Sequence, residues 1–170
     1  MESAAHLSIK NHLYWALVRE GYTVQIEKSI YHRYQPDLIV EVNDKKVAIE
    51  IQKSPLPPNA MLKRMAAHTE SGAYTLWLIP KESLETILYS RKWCELIQQL
   101  QNGIIFLPTE TSKILPARID LEFESSRKFI DYFDIPVDIE DIIFEKNTIY
   151  GLNVAGWPEW WLQGYQDLYY

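Results

Sequence analysis

The sequence predicts an α/β domain whose mixed sheet is flanked by helices, in the order α-β-β-β-α-β followed by α-β-β. Three observations carry this expectation. A helix-spaced apolar series opens the chain and stops at Gly21. Two alternating segments then fold back about Asn43-Asp44, and a strand apolar on both faces lies between two helix-patterned stretches.

Each element follows from local physics. Residues 3–20 place Leu7, Leu13, Leu17 and the Tyr14/Trp15 pair at near-helical spacing, with Ser3 as a cap and Gly21 at the position after the helix. YTVQIEKSI, at 22–30, alternates and is β-branched, as strands are. DLIVEV (37–42) and KKVAIEIQ (45–52) form a hairpin across a two-residue turn. SPLPPN leaves the sheet because proline cannot donate to a ladder. Residues 59–71 read as a helix capped by Asn59 and ended by Gly72. AYTLWLIP (73–80) has the continuous apolarity of a central strand with a parallel neighbour. One helix is expected over 82–101, then strands at GIIFLP and 113–123, then a short helix in ESSRKFIDYF. Residues 1–123 are taken as the domain, and 124–170 as an acidic and aromatic C-terminal extension packed on it.

The chain has 170 residues, is 47% hydrophobic and 24% charged, and so builds one core without staples. The lone Cys94 excludes an internal disulfide framework and reads as a small buried hydrophobe. MESAAHLSIKNHL lacks the charge and apolar run of a signal peptide, and no stretch is apolar enough to span a bilayer, so the expected place is the cytoplasm, with no membrane partner. The net charge of −6 argues against DNA binding over the whole surface. Residues 1–80, however, hold nine basic and eight acidic residues, whereas 81–170 hold eight and fifteen. The near-neutral first half leaves a nucleic-acid face there open.

The chemistry concentrates at Pro36-Asp37 and Glu50-Ile51-Gln52. Glu50 and Gln52 are two apart on one strand and share a face. Positions 37 and 50 are symmetric about the Asn43-Asp44 turn, which makes them cross-strand partners about 5 Å apart. Two carboxylates so close repel unless a cation neutralises them. Mg²⁺, or Mn²⁺ in its place, does this with oxygen ligands while sharing substrate phosphate. Gln52 has a donor and an acceptor to orient water or phosphate, but no positive charge. The bland reading is a turn aspartate and the wet face of a strand. Against it, AIEIQ is otherwise apolar, and a proline-rich loop suited to a site rim follows at once.

Pro36-Asp37…Glu50-x-Gln52 resembles the PD-(D/E)xK nuclease motif, with Gln where Lys is commonest. Glu2-Ser3-x-x-His6 with Lys10, Ala48-Ile49-Glu50-Ile51-Gln52-x-Ser54, Arg64 and Leu76-Trp77-Leu78-Ile79 are similar in order and spacing to the competence protein CoiA family. The likeness covers residues 1–80, and more loosely the helix of Trp93 and the strand after Gly103. It departs from many relatives in having Gln35-Pro36, not a basic residue, before the aspartate. The resemblance implies a restriction-endonuclease-like αβββαβ core and Mg²⁺-dependent cleavage of DNA in uptake, recombination or mobile-element processing. It implies Asp37, Glu50 and the Ile51 carbonyl as metal ligands, Gln52 in the place of the usual lysine, and Glu2 as an assisting acid.

The remaining polar residues carry two readings each. His6 and Lys10 share a helical face with Glu2, as a wall of the site or as a solvated stripe. Lys53, Lys63 and Arg64 are candidate phosphate contacts, and His68 extends the row of Arg64 or is an ordinary exposed histidine. His32, Arg33 and Tyr34 precede Asp37 and could touch a nucleic-acid backbone. The tail aromatics Trp157, Trp160, Trp161, Tyr165, Tyr169 and Tyr170 lack basic neighbours, which favours packing or a protein partner over base stacking. The rival functions are a catalytically silent DNA-binding or recombination-accessory protein, and a partner-binding subunit. The oligomeric state stays open, a dimer included.

Overall fold

A computed structural model describes residues 4–26, 35–101, 103–121, 128–132, 135–145 and 148–152. Within them, β1 (Val24–Ile26), β2 (Leu38–Val42), β3 (Lys45–Ile51), β4 (Ala73–Leu78), β5 (Ile104–Pro108), β6 (Ile114–Leu121) and β7 (Lys128–Tyr132) form one mixed sheet in sequential order. β3, β4 and β5 run parallel at its centre, and the outer pairings are antiparallel. This is the expected α/β class. A small second sheet pairs β8 (Ile142–Glu145) with β9 (Thr148–Leu152).

Alternation along β3 divides the core. Val47, Ile49 and Ile51 face α1 (Ala4–Arg19), where they meet Leu13, Leu17, Leu38 and Val40. Val137, Ile139, Ile142 and Phe144 join that same layer from later in the chain. On the opposite face, Trp77, Ile79, Ile105 and Leu107 pack against Met61 and Met65 of α2 (Pro58–Glu70), Leu84 and Ile87 of α3 (Leu84–Leu88), and Trp93 and Ile97 of α4 (Arg91–Gln101). Cys94 is free and buried in this layer.

Several local expectations hold. α1 ends with Gly21 at φ +94°, and the Gly21 and Tyr22 N–H groups bond back to Val18 O at 3.0 Å and Leu17 O at 3.1 Å. That pairing is a Schellman end, which a side chain at Gly21 would strain. Asn43 and Asp44 have φ of 51° and 63°, the geometry of a two-residue hairpin turn whose twist suits the strands.

Other expectations are corrected. The helix expected over 82–101 is broken into a 3₁₀ turn (Lys81–Ser83), α3 and α4. Ser90 sits at the break, with its hydroxyl 3.4 Å from the Trp93 N–H and its carbonyl accepting from Cys94 at 3.1 Å. This lets α4 turn its own apolar face to the sheet. α2 starts at Pro58 with no side-chain cap, so Asn59 is not its cap. Proline in the first turn needs none of its own N–H there. The stretch 128–132, expected as helix, is strand β7, because Phe129, Ile130 and Asp131 pair antiparallel with Asp120, Ile119 and Arg118 of β6. Ser3, residues 32–34 and the tail aromatics lie outside the described residues.

Candidate active site

The hairpin register fixes the site. Leu38 pairs with Ile49 and Val42 with Lys45, and the ladder ends there, one step short of the Asp37–Glu50 pair that hairpin symmetry predicts. The Asp37 N–H donates to Ile49 O at 3.0 Å, one residue out of that register, so Asp37 leaves the regular pairing at the hairpin end. On the other side of β3, the Gln52 N–H donates to Leu78 O at 2.8 Å. The site thus stands at the carboxyl ends of β3 and β4, where parallel strands commonly present ligands.

The two acids face different neighbours. Asp37 Oδ2 accepts the Ile51 N–H at 2.8 Å. His6 Nε2, carried on α1, lies 3.3 Å from both Asp37 oxygens and 3.1 Å from Ile51 O. All three neighbours are acceptors, so Nε2 carries the ring proton and shares it among them. Burial pushes the Asp37 carboxyl above its usual range, against the lowering effects of the Ile51 N–H, His6 and Lys10, and the Glu50 charge pushes it further up. Glu50 instead reaches α2. Its Oε2 accepts from Arg64 at 3.0 Å and its Oε1 from His68 at 3.0 Å. Glu50 and His68 side chains are only 4% and 3% exposed, while Arg64 keeps 37% of its surface in solvent.

Gln52 is buried and accepts the Trp93 indole N–H on Oε1 at 3.3 Å. Indole can only donate, so Trp93 fixes the amide with its oxygen toward α4. The Gln52 NH₂ then has no protein partner among the described residues. A buried amide donor without a partner costs stability unless a ligand or water completes it.

Asp37, the Ile51 carbonyl and His6 are thus brought together, and Glu50 is placed beside them on the same hairpin end. Arg64 joins through Glu50. Lys10 is buried, Lys53 half-buried and Lys63 exposed on α2. Glu2 lies outside the described residues. Sequence reasoning put His68 in the row of Arg64 but not against Glu50, and it passed over Trp93. His68 was visible as the residue four after Arg64, hence on its helical face. Trp93 gave no polar signal, because its apolar spacing is fully explained by α4.

Among the described residues no group of three or more His, Cys, Asp or Glu side chains is arranged to hold a metal ion. That leaves aside a backbone ligand. The Asp37 carboxylate and the Ile51 carbonyl are hard oxygen donors converging on one ring nitrogen. This pair fits a divalent cation. Glu50 fits as a ligand once Arg64 or His68 releases one of its oxygens.

The sequence model of a family described as competence protein CoiA, nuclease-like domain, matches residues 2–139. No curated protein and no solved structure matches the chain.

Proposed function

Since the chain belongs to the family of the CoiA nuclease-like domain, we propose that it hydrolyses DNA phosphodiester bonds with Mg²⁺ or Mn²⁺, in DNA uptake, recombination or mobile-element processing. One observation supports this above the others: the Asp37 carboxylate and the Ile51 carbonyl converge on one point, the His6 Nε2 position, at the hairpin end that carries Glu50 and Gln52, within the family match. Asp37, Glu50 and the Ile51 carbonyl would hold the metal. When bound, it supplies charge that activates water and offsets the charge building on phosphate.

The protein's own groups have distinct tasks. The Ile51 N–H fixes the Asp37 carboxylate in one rotamer. Gln52 acts as a donor, because Trp93 occupies its oxygen. Its NH₂ holds a phosphate oxygen or the attacking water, and it does not take up a proton. Arg64, half-exposed and anchored on Glu50, has N–H groups left to meet the DNA backbone, as Lys53 and Lys63 do from the rim. Glu2 would assist from the first helix.

A second reading has a specific observation behind it. Arg64 already neutralises Glu50, His68 bonds its other oxygen, and Gln52 brings no charge, so a silent DNA-binding protein would keep this arrangement. The test is incubation with single-stranded, duplex and branched DNA, with Mg²⁺ or Mn²⁺, beside Asp37→Ala and Glu50→Ala. Cleavage by the parent alone is expected. Cleavage that survives both substitutions sinks the site. Binding without cleavage in the parent establishes the silent binder.

A further inference from the structure

We propose that the corner between α3 and α4 is a stacking contact for an unpaired base, with Tyr89 as its platform and Lys92 on the adjoining phosphate. The substrate of the neighbouring site is then DNA with a single-stranded stretch. The inference rests on the DNA reading above and adds a substrate class to it.

Presentation is the first argument. Tyr89 is 81% exposed and is the most exposed large apolar side chain among the described residues. A lone surface ring needs no explanation by itself. This one is held out by a fixed corner. The Tyr89 N–H donates to Thr86 O at 3.3 Å and the Ser90 N–H to Ile87 O at 3.0 Å, both back into α3. Ser90 O accepts from the Cys94 N–H at 3.1 Å, and its hydroxyl stands 3.4 Å from the Trp93 N–H, both forward into α4. A platform anchored from both sides loses little backbone entropy when a base settles on it.

Place is the second argument. Trp93, in the first turn of α4, bonds through its indole to Gln52. Four residues of extended chain span at most about 14 Å, so the Tyr89 backbone stands within that distance of the Trp93 backbone. At roughly 3.4 Å per nucleotide, that is a reach of about four nucleotides.

Charge is the third argument, and it selects the kind of DNA. Stacking platforms come with cations, and here Arg91 and Lys92 follow at once, both exposed. Arg91 is engaged by Glu95 at 3.0 Å, and Glu82 and Glu85 lie just before the corner. Lys92 makes no ion pair among the described residues. One available ammonium beside a ring suits one phosphate of a strand whose base lies on that ring. It does not suit the dense double row of phosphates on a duplex.

The test uses the whole chain, in EDTA and again in Ca²⁺, with fluorescent oligonucleotides: single-stranded, blunt duplex, and duplex with a single-stranded tail. Anisotropy is expected to show the parent binding the tailed and single-stranded probes about tenfold more tightly than the blunt duplex. Tyr89→Ala should weaken those two by about tenfold and leave the blunt duplex unchanged, while Tyr89→Phe keeps the ring and should bind like the parent. Lys92→Ala should weaken the same probes and lower the salt slope of their binding by roughly 0.7. Trp15→Ala, on α1 across the sheet, should change nothing. With 5-iodouracil in the single strand, irradiation of the parent should crosslink it to Tyr89. That crosslink needs no variant, so a variant that misfolds leaves the proposal open to refutation. Single-strand binding unchanged in Tyr89→Ala, or crosslinks formed only elsewhere, overturn the stacking contact and leave the nuclease reading standing. Equal affinity for blunt and tailed duplex does the same. A parent that binds no probe in either condition overturns both.

Discussion

The two sides of the β2–β3 hairpin end handle negative charge in opposite ways. On the α1 side, the Asp37 carboxyl is buried, raised in pKa and faced by one shared histidine proton. On the α2 side, Glu50 is more deeply buried but is closed off by two strong donors, Arg64 and His68. The first side is short of positive charge and the second is already supplied. A carboxylate left wanting is disposed to bind an added cation, while one paired within the fold holds the fold together. Asp37 is thus held for a ligand alone, while Glu50, a ligand in the proposed site, also ties α2 to β3.

Removing each acid sets the comparison at its widest. Asp37→Ala is expected to lower cleavage by about a thousandfold, the scale of several kcal/mol of transition-state charge stabilisation, with little loss of folding stability. Single-turnover cleavage and thermal unfolding check both halves. Glu50→Ala should also stop cleavage, but should in addition cost roughly 3 kcal/mol of stability, because His68 and Arg64 lose a buried partner. Equal unfolding midpoints for the two variants in urea would erase the distinction. Trp93→Phe keeps the ring and deletes one donor. It should cost about 1 kcal/mol of stability, and about tenfold in cleavage once the Gln52 amide is free to flip. An unchanged rate would show that Trp93 does not orient Gln52.

The smallest effect is the most diagnostic. Asp37→Asn removes a buried charge that the metal-free fold satisfies poorly. Without divalent ions at neutral pH it is expected to raise the melting temperature by roughly 2–4 °C, the equivalent of about 1 kcal/mol. The sign follows from the raised pKa. The folded state holds this proton more tightly than the unfolded chain, so the wild-type protein loses stability as pH climbs through the Asp37 value. The gap between variant and parent should therefore close below about pH 3.9, the ordinary aspartate value, and open above it.

Much of this hairpin was legible beforehand because its logic is local. A two-residue turn at Asn43-Asp44 fixes the register by symmetry as far as Leu38 and Ile49, and Asp37 follows just beyond that last pair. The central parallel strand was equally plain from unbroken apolarity at 73–80. What escaped was set by distant contacts. Trp93 lies 41 residues from Gln52, and His68 lies 18 from Glu50, so no local pattern announces either bond. KFIDY has enough aromatic and β-branched character for either state, and only the free edge of β6 decides for strand.

The two-residue turn also has a consequence for how this protein tolerates change. Side chains in a strand alternate faces at each step, so the hairpin behaves like a reading frame. Exchanging one apolar residue for another between Leu38 and Ile49 leaves the frame intact. Adding or deleting a single residue on one arm would turn Asp37 from His6 or Glu50 from Arg64 and His68, with every atom of the site still encoded and none of it assembled. The hairpin is permissive in spelling and strict in length.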